Sequence, residues 1–132
     1  MGVCVQSRTR FVSGAALISD GDRIVDAKMP VSEGAFAAGD ISAFPAPPEG
    51  KPTRIKHCRV AQQQARIAAA NMMGEEASYR ATPFFWTCHY GQNFEYFGHA
   101  DGWDDEIVGG DIDIQNFAAF LLQGQRVVAV VA

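Results

Sequence analysis

The chain has 132 residues, of which 48% are hydrophobic, and its formal net charge at pH 7 is -4. This length suits one globular domain with a real core, and the negative charge, without clusters of Lys or Arg, argues against nucleic acid or anionic lipid as the main partner. No apolar run reaches the roughly 18 residues that a membrane span needs. The N-terminal segment also lacks the apolar core of a signal peptide, so we expect a cytoplasmic protein with no membrane partner.

The first half of the chain predicts short extended segments between turns. Residues 20–22, Asp-Gly-Asp, indicate a turn, and the run from Arg23 to Met29 can be extended. A second apolar strand is predicted from Gly34 to Ala38, ending at Gly39. Residues 44–52 contain four of the six prolines and predict a surface crossing loop, because proline removes backbone donors.

The run from His57 to Met73 is the clearest helix in the sequence. Val60, Ile67 and several alanines are spaced to form an apolar stripe, and Gly74 follows as a stop signal. Its polar face is predicted to carry four side chains. They are Gln62, Gln63, Arg66 and Asn71.

The sequence after this helix has the texture of strands. Phe84 to Tyr90 and Asn93 to Ala100, separated by Gly91-Gln92, have the signature of a hairpin. Further strands are predicted at Glu106 to Val108, Phe117 to Leu122 and Arg126 to Val131. Strands, one main helix and then a run of strands predict an α+β fold with a mostly antiparallel meander.

The three cysteines, Cys4, Cys58 and Cys88, are odd in number and widely spaced. A disulfide framework is therefore disfavoured, and reduced thiols agree with a reducing compartment. The pairs His57-Cys58 and Cys88-His89 are the sharpest metal candidate. Neighbours on a strand point to opposite faces, and structural zinc sites usually separate paired ligands by two or more residues, so we assign no metal site.

The dipeptide Gly39-Asp40 at the end of a short strand is the first candidate site. Glycine admits close approach of a ligand, and an ionised carboxylate accepts strong hydrogen bonds from hydroxyl groups. By itself such a dipeptide more often only ends a strand with a turn. The glycine-rich G-x-G-x-x-G loop that would hold the phosphates of a nucleotide does not occur in the 132 residues.

Three stretches together carry a more specific signal. They are FAAGDISAFP at 36–45, RVAQQQARIAAANMMGEE at 59–76 and PFFWT at 83–87. In these stretches and in their order, the chain resembles the C-terminal third of FAD-dependent pyridine nucleotide-disulfide oxidoreductases. It is most similar to the ferredoxin reductase and apoptosis-inducing-factor-like branch. The resemblance covers nearly the whole chain, more tightly from Val25 onward.

The resemblance implies a division of the chain into two parts. Residues 1–48 are expected to be a remnant of the FAD/NAD(P)-binding α/β domain, ending in the Gly-Asp flavin motif. Residues 49–132 are expected to hold the helix and the C-terminal, interface-type reductase domain. The apolar residues at both ends of the chain give it the look of a truncated piece.

Site roles follow from the resemblance by position. Asp40, with Gly39, is expected to bind a ribitol hydroxyl of FAD, and the helix N-terminus at His57 and Cys58 is expected to face the flavin ring, helped by the helix dipole. The family usually has an acid and a large aromatic beside His57. Lys56 and Cys58 depart from that pattern, which leaves nicotinamide positioning and ring stacking undecided.

Trp86, within PFFWT, is expected near the isoalloxazine, where an indole offers a flat apolar wall and one donor. Core packing is the alternative role for this tryptophan. The acidic run from Asp101 to Asp113 lacks the spacing of a calcium loop and is interpreted as a solvated face. No residue is assigned a catalytic role.

Two function classes follow. The first is the C-terminal portion of a flavin-dependent NAD(P)H reductase, with FAD as cofactor and a ferredoxin or Rieske-type iron-sulfur protein as electron acceptor. The second is a non-catalytic interface or dimerisation module, or a truncated gene product, without independent activity. In either class the isolated chain is expected to bind FAD weakly or not at all and to be a possible homo-oligomer. The sequence does not choose between NADH and NADPH.

Overall fold

The computed structural model describes Thr9, residues 23–46 and residues 50–132. The chain divides into two compact units, Met1–Ala81 and Thr82–Ala132, here called the N-terminal unit and the C-terminal unit. The described residues form one α-helix and mostly antiparallel strands, which confirms the α+β class. The predicted turn at 20–22 lies outside the described residues, and the boundary between residues 48 and 49 stays a prediction about the origin of the two segments.

Five short strands belong to the N-terminal unit. They are β1 (Arg23–Ile24), β2 (Pro30–Ser32), β3 (Ala35–Phe36), β4 (Ser42–Ala46) and β5 (Lys51–Thr53). Strand β4 lies at the centre of a three-stranded sheet, parallel to β1 and antiparallel to β5. Strands β2 and β3 form a separate antiparallel pair, so the strand predicted at 34–38 is only two residues long.

The extended run predicted from Arg23 to Met29 is wrong beyond Ile24. A carboxylate oxygen of Asp26 accepts a hydrogen bond from the backbone N–H of Lys28 at 2.6 Å, and the N–H of Met29 donates to the Asp26 carbonyl at 3.1 Å. These two bonds close a turn, as aspartate side chains commonly do. Met29 itself has a φ of 72° and is fully buried, so packing holds it in a conformation that non-glycine residues seldom adopt.

The loop predicted across the proline-rich segment is wrong at both its ends, which form β4 and β5. Residues 47–49 between them lie outside the described residues. Pro45 stands opposite Pro52, and β1 pairs only with the first two residues of β4. Pro45 therefore lies past the end of β1, and Pro52 lies on the edge strand β5. At such positions a strand tolerates the missing N–H of proline.

Helix α1 spans Cys58–Met72 and ends in a hydrogen-bonded cap. The N–H of Glu75 donates to the carbonyl of Ala70 at 3.0 Å, and the N–H of Gly74 donates to the carbonyl of Asn71 at 3.1 Å. Gly74 has a φ of 85°. This is the Schellman pattern, in which a left-handed glycine satisfies the last helical carbonyls, so Gly74 ends the helix as the sequence predicts.

The core of the N-terminal unit collects apolar side chains from α1, β4 and the segments beside them. Its buried members are Val25, Met29, Ala37, Phe44, Ala46, Val60, Ala68 and Tyr79. The rings of Phe44 and Tyr79 meet edge to face, with centroids 5.2 Å apart. Burial raises the pKa of the Tyr79 phenol above its ordinary 10.0, and the charge of Arg59 opposes that rise.

The C-terminal unit is a five-stranded antiparallel sheet. Its strands are β6 (Phe84–His89), β7 (Gln92–Gly98), β8 (Asp105–Asp111), β9 (Asn116–Gln123) and β10 (Arg126–Val131). They lie in the order β6-β7-β10-β9-β8, so the last strand of the chain fills the centre of the sheet. The predicted strands are all present, and β8 is longer than the segment expected at 106–108.

The hairpin between β6 and β7 turns one residue earlier than the sequence predicts. Tyr90 and Gly91 form the two-residue turn, with φ values of 52° and 80°, and His89 pairs with Gln92 across it. Two positive φ values are the mark of the type I′ turn, whose twist matches that of the strands. Tyrosine thus takes a position that usually belongs to asparagine, aspartate or glycine.

The buried part of the C-terminal unit is small. Leu121, Val128 and Ala129 form its centre, with Tyr96, Ala100 and Val131 packed around them. Every residue of β8 is exposed.

Across the part of the chain that the structure describes, no helix is both long and apolar enough to cross a membrane.

Candidate functional site

Gly39 and Asp40 begin a short 3-10 turn, Gly39–Ile41, that leads directly into β4. Gly39 is buried with a φ of 75°, whereas Asp40 is exposed. A φ of this sign suits glycine, because a Cβ would meet the following carbonyl group. The turn therefore places a carboxylate at the surface immediately after a buried, left-handed glycine.

The polar groups of this turn are fixed by Gln64, in the second turn of α1. The backbone N–H of Gly39 donates to Oε1 of Gln64 at 2.8 Å. The hydroxyl of Ser42 lies 2.9 Å from both Oε1 of Gln64 and the carbonyl oxygen of Gly39, and the Ser42 N–H also donates to that carbonyl. Gln64 is 1% exposed, so these bonds form away from water.

Helix α1 also touches the turn through Ala61. A Cβ added to Gly39 would lie 3.1 Å from the Cβ of Ala61, which is closer than ordinary van der Waals contact. Glycine is thus required here by its close approach to the helix as well as by its φ. At 1.5 Å per residue, Ala61 and Gln64 lie about 4.5 and 9 Å along the axis from Cys58, so the turn packs beside the first two turns of α1.

The N-terminus of α1 is capped by His57. The ring Nδ1 of His57 accepts a hydrogen bond from the N–H of Arg59 at 3.3 Å, and the His57 carbonyl accepts the first helical bond from Ala61 at 3.0 Å. This geometry requires Nδ1 to be unprotonated, because a protonated nitrogen cannot accept. Cys58 is the first residue of the helix and carries an exposed, free thiol.

Trp86 belongs to the C-terminal unit, on β6, where it pairs across the sheet with Glu95. Its indole stacks on the ring of Phe84, with centroids 5.8 Å apart and planes 27° apart. Trp86 is 48% exposed. A half-exposed indole on a strand supplies a flat apolar surface for a ligand or a protein rather than the centre of a core.

Four of the five predicted site residues lie at the N-terminus of α1 or on the turn that packs against this helix. The turn that contains Gly39 and Asp40 packs against α1 through Gly39, His57 caps that helix and Cys58 is its first residue. Trp86 lies in the other unit. The roles of these five residues in ligand binding stay predictions.

The residue that the sequence analysis missed is Gln64. The predicted polar face includes Gln62 and Gln63 but not Gln64. Gln64 lies four residues after Val60 and four before Ala68, and all three are buried. That i, i+4 spacing was the available signal, since it places a polar side chain on the apolar stripe.

The residues present fit the polyol part of a flavin. An exposed carboxylate accepts hydrogen bonds from hydroxyl groups, and the positive end of a helix lies on the same framework. Among the described residues, no three His, Cys, Asp or Glu side chains converge as metal ligands would. The exposed Asp40 carboxylate suits a ligand that carries hydroxyl groups, because a carboxylate accepts hydrogen bonds from them.

Comparison with known proteins identifies the class. Residues 84–132 match the family described as Reductase C-terminal. Human apoptosis-inducing factor 3 is 38% identical over 134 residues, which cover 98% of this chain and 22% of that protein. The chain corresponds to the C-terminal part of proteins of the ferredoxin reductase and apoptosis-inducing-factor class, as its resemblance implied.

Solved structures point to the ferredoxin reductase branch of that class. The ferredoxin reductase for the CYP199A2 system from Rhodopseudomonas palustris matches with a TM-score of 0.85 and 26% identity, over 98% of this chain and 32% of that one. The reductase in the covalent putidaredoxin reductase-putidaredoxin complex matches with a TM-score of 0.77 and 31% identity, over 88% and 28%. The chain thus spans about a fifth to a third of the length of these relatives.

Proposed function

We propose that this chain is the C-terminal portion of a flavin-dependent NAD(P)H reductase that passes electrons to a ferredoxin or Rieske-type iron-sulfur protein. The observation that carries the proposal is the exposed Asp40 carboxylate, held by a buried glycine turn against the first two turns of α1. The relatives named above support the reaction class. One of them was solved in a covalent complex with putidaredoxin, which supports a small electron-transfer protein as partner.

The residues of this chain bind and shield rather than react. Bound FAD would supply the redox chemistry, taking hydride from NAD(P)H and releasing single electrons. Asp40 would accept hydrogen bonds from ribitol hydroxyls, and the N-terminus of α1 would place its positive end towards the electron-rich part of the ring. Trp86 would cover an apolar face against water. The free thiols of Cys58 and Cys88 support a reducing, cytoplasmic location.

Flavin binding by the chain alone should be weak. One carboxylate–hydroxyl bond contributes about 1.5–3 kcal/mol and a partly exposed stacking contact about 1 kcal/mol. Immobilising a large ligand opposes both, which leaves the dissociation constant at about the millimolar level or above. The phosphate-binding loop that dominates FAD affinity in such folds is a glycine-rich turn at a helix N-terminus, and no such loop occurs in this sequence.

The test is a reconstituted reductase, meaning this chain mixed with a separately expressed FAD- and NAD(P)H-binding part of a relative reductase. We expect the chain alone to be colourless and inactive with NADH and NADPH. The mixture should retain more flavin and oxidise NAD(P)H faster than the relative's part alone. A yellow, active chain in isolation would contradict the weak-binding expectation, and a mixture with no gain in flavin or rate would contradict the proposed function.

A second candidate is an interface module, favoured by the apolar side chains that β8 and its following turn expose. Ile107, Ile112 and Ile114 are 57%, 56% and 69% exposed. Sedimentation of the chain tests this candidate. Ile107→Asp or Ile114→Asp should dissociate an oligomer of the chain. Met73→Asp, which changes an exposed residue of the N-terminal unit, is the control and should leave the oligomer intact. A monomeric chain at all concentrations would remove this candidate.

A further inference from the structure

We propose that Gln64 is a positioning residue for the flavin site, which holds the Gly39-Asp40 turn in its ligand-binding form. The inference rests on the proposed function, because it assigns Gln64 a role in binding the hydroxyls that Asp40 would receive. Gln64 itself is buried and would not touch the ligand. It would act through the backbone of Gly39.

A buried glutamine on the apolar stripe of a helix requires hydrogen-bond partners. Burying an amide without partners is costly, and an apolar side chain of similar volume would fill the same space. Here the amide has partners, since its Oε1 lies 2.8 Å from the Gly39 nitrogen and 2.9 Å from the Ser42 hydroxyl. A backbone N–H can only donate, so the amide oxygen and not the amide nitrogen faces the turn.

The backbone of Gly39 has intrinsic conformational freedom that the fold must restrict. Glycine populates left-handed and right-handed backbone regions with similar ease, so its sequence alone does not fix the direction of the chain at Asp40. In the structure both polar atoms of Gly39 are held, the N–H by Gln64 and the carbonyl by Ser42. Asp40 follows Gly39 and precedes Ser42, so bonded residues lie on both sides of it in the chain.

Gln64 connects the two predicted flavin contacts of the N-terminal unit. Helix α1 carries His57 as its N-cap and Gln64 in its second turn. The bond from Gly39 to Gln64 therefore sets where Asp40 stands relative to the helix N-terminus. Binding groups must be held to within a fraction of an ångström of their productive positions, and buried side chains behind them provide that precision.

The experiment compares flavin affinity of the reconstituted reductase across matched variants. Gln64→Met keeps the length and shape of the side chain but removes the acceptor, and Gln62→Leu changes an exposed position on the same helix. We expect Gln64→Met to weaken flavin binding about tenfold, because the released turn would hold Asp40 in its binding position for only part of the time, and Gln62→Leu to change it less than twofold. Exchange of the Gly39 amide should quicken in Gln64→Met alone.

A double-mutant cycle with Asp40→Ala separates positioning from general stability. If Gln64 acts through Asp40, Gln64→Met should change flavin affinity less than twofold once the carboxylate is absent. If Gln64→Met only destabilises the fold, the loss of flavin affinity should persist in the Asp40→Ala variant. Should Gln64→Met fail to fold, Ser42→Ala supplies the same cycle from the other anchor, with an expected loss of about threefold that also disappears with Asp40→Ala.

The outcomes distinguish this inference from the proposed function. A wild-type mixture that gains no flavin contradicts the proposed function and removes the role of Gln64 with it. A mixture that gains flavin, in which Gln64→Met binds as tightly as wild type or loses the same factor with and without Asp40, overturns the inference about Gln64 and leaves the proposed function standing.

Discussion

Gly39 approaches Ala61 so closely that a Cβ on the glycine would stand 3.1 Å from the Cβ of the alanine. Gly39→Ala should therefore lower the free energy of unfolding for two reasons. A φ of 75° costs a residue with a Cβ about 1–2 kcal/mol, and the contact with the helix adds to this. Urea unfolding followed by the circular dichroism of α1 measures the change.

Gly34→Ala is the matched control, since Gly34 has a φ of 69° and no atom within 4 Å of an added Cβ. It should show the backbone cost alone, so the difference between the two variants reports the contact. Ala61→Gly should recover that difference in Gly39→Ala. Equal losses in the free energy of unfolding at positions 34 and 39 would mean that the contact with Ala61 does not affect stability.

Asn71 joins the end of α1 to two other segments. Its Nδ2 donates to the carbonyls of Lys28 and Ala77 at 2.9 Å each, and its Oδ1 accepts from the Ala77 N–H at 2.9 Å. Asn71→Ala removes three hydrogen bonds, two of them partly buried, and should lower the free energy of unfolding by about 2 kcal/mol. Gln62→Ala, on the exposed side of the same helix, should cost less than about 0.5 kcal/mol. If Asn71→Ala lowers the free energy of unfolding no more than Gln62→Ala does, Asn71 does not stabilise the contact between α1 and these two segments.

Tyr79 predicts a loss of stability at high pH. Burial raises the pKa of its phenol above 10.0, with the charge of Arg59 acting in the opposite direction. The folded chain thus holds this proton more tightly than the unfolded chain does. The resulting stability is fully present below the unfolded pKa of about 10 and is lost as the pH rises through the higher folded pKa.

Urea unfolding of wild type and Tyr79→Phe at about pH 9 and about pH 11 tests this linkage. The free energy of unfolding should fall more steeply with pH in the wild type than in Tyr79→Phe. The variant also loses the bond from the Tyr79 hydroxyl to Gln63 at 3.3 Å, but that loss is the same at pH values where the phenol is protonated. Parallel pH profiles for the two proteins would contradict a raised pKa.

Two neighbouring glycines in β8 should respond very differently to alanine. Gly110 has a φ of 95°, and an added Cβ would overlap the carbonyl oxygen of Asn116 and the Cα of Phe117 on β9. An added Cβ at Gly109 would meet nothing within 4 Å. Gly110→Ala should destabilise the C-terminal unit by about 2 kcal/mol or more, and Gly109→Ala by less than about 1 kcal/mol.

Tryptophan fluorescence reports this unit selectively, because Trp86 and Trp103 are the only tryptophans of the chain and both lie within it. The unfolding midpoint from fluorescence should fall further for Gly110→Ala than for Gly109→Ala. Equal shifts for both glycines would mean that β8 can move away from β9 at no cost.

The elements with local signals could be predicted from the sequence. Helix α1 has an apolar stripe and a capping glycine at Gly74, and each is a short-range pattern. Apolar and polar residues alternate along the strands of the C-terminal unit, and turn residues separate these strands. Their order in the sheet follows from pairing between distant strands, such as β10 with β7, which no local pattern contains.

Strands β4 and β5 could not be predicted, because their prolines have the local character of a loop. Only the tertiary setting makes Pro45 and Pro52 acceptable, at a strand end and on an edge. The candidate site shows the same division. Asp40 was found from the flavin motif, whereas the bond from Gly39 to Gln64 joins residues 25 positions apart and appears only when α1 packs on the turn.

Flavin affinity of the reconstituted reductase with and without the Asp40 carboxylate tests the central claim most directly. We expect Asp40→Ala to weaken binding about 10- to 100-fold, in line with a charge-assisted bond of about 1.5–3 kcal/mol. Asp40→Asn, which keeps an acceptor without the charge, should fall between Asp40→Ala and wild type. Glu75→Ala, which removes an exposed carboxylate past the end of α1, should bind flavin as wild type does. If Asp40→Ala retains flavin as firmly as Glu75→Ala, the Asp40 carboxylate does not hold the flavin, and the account of this site is contradicted.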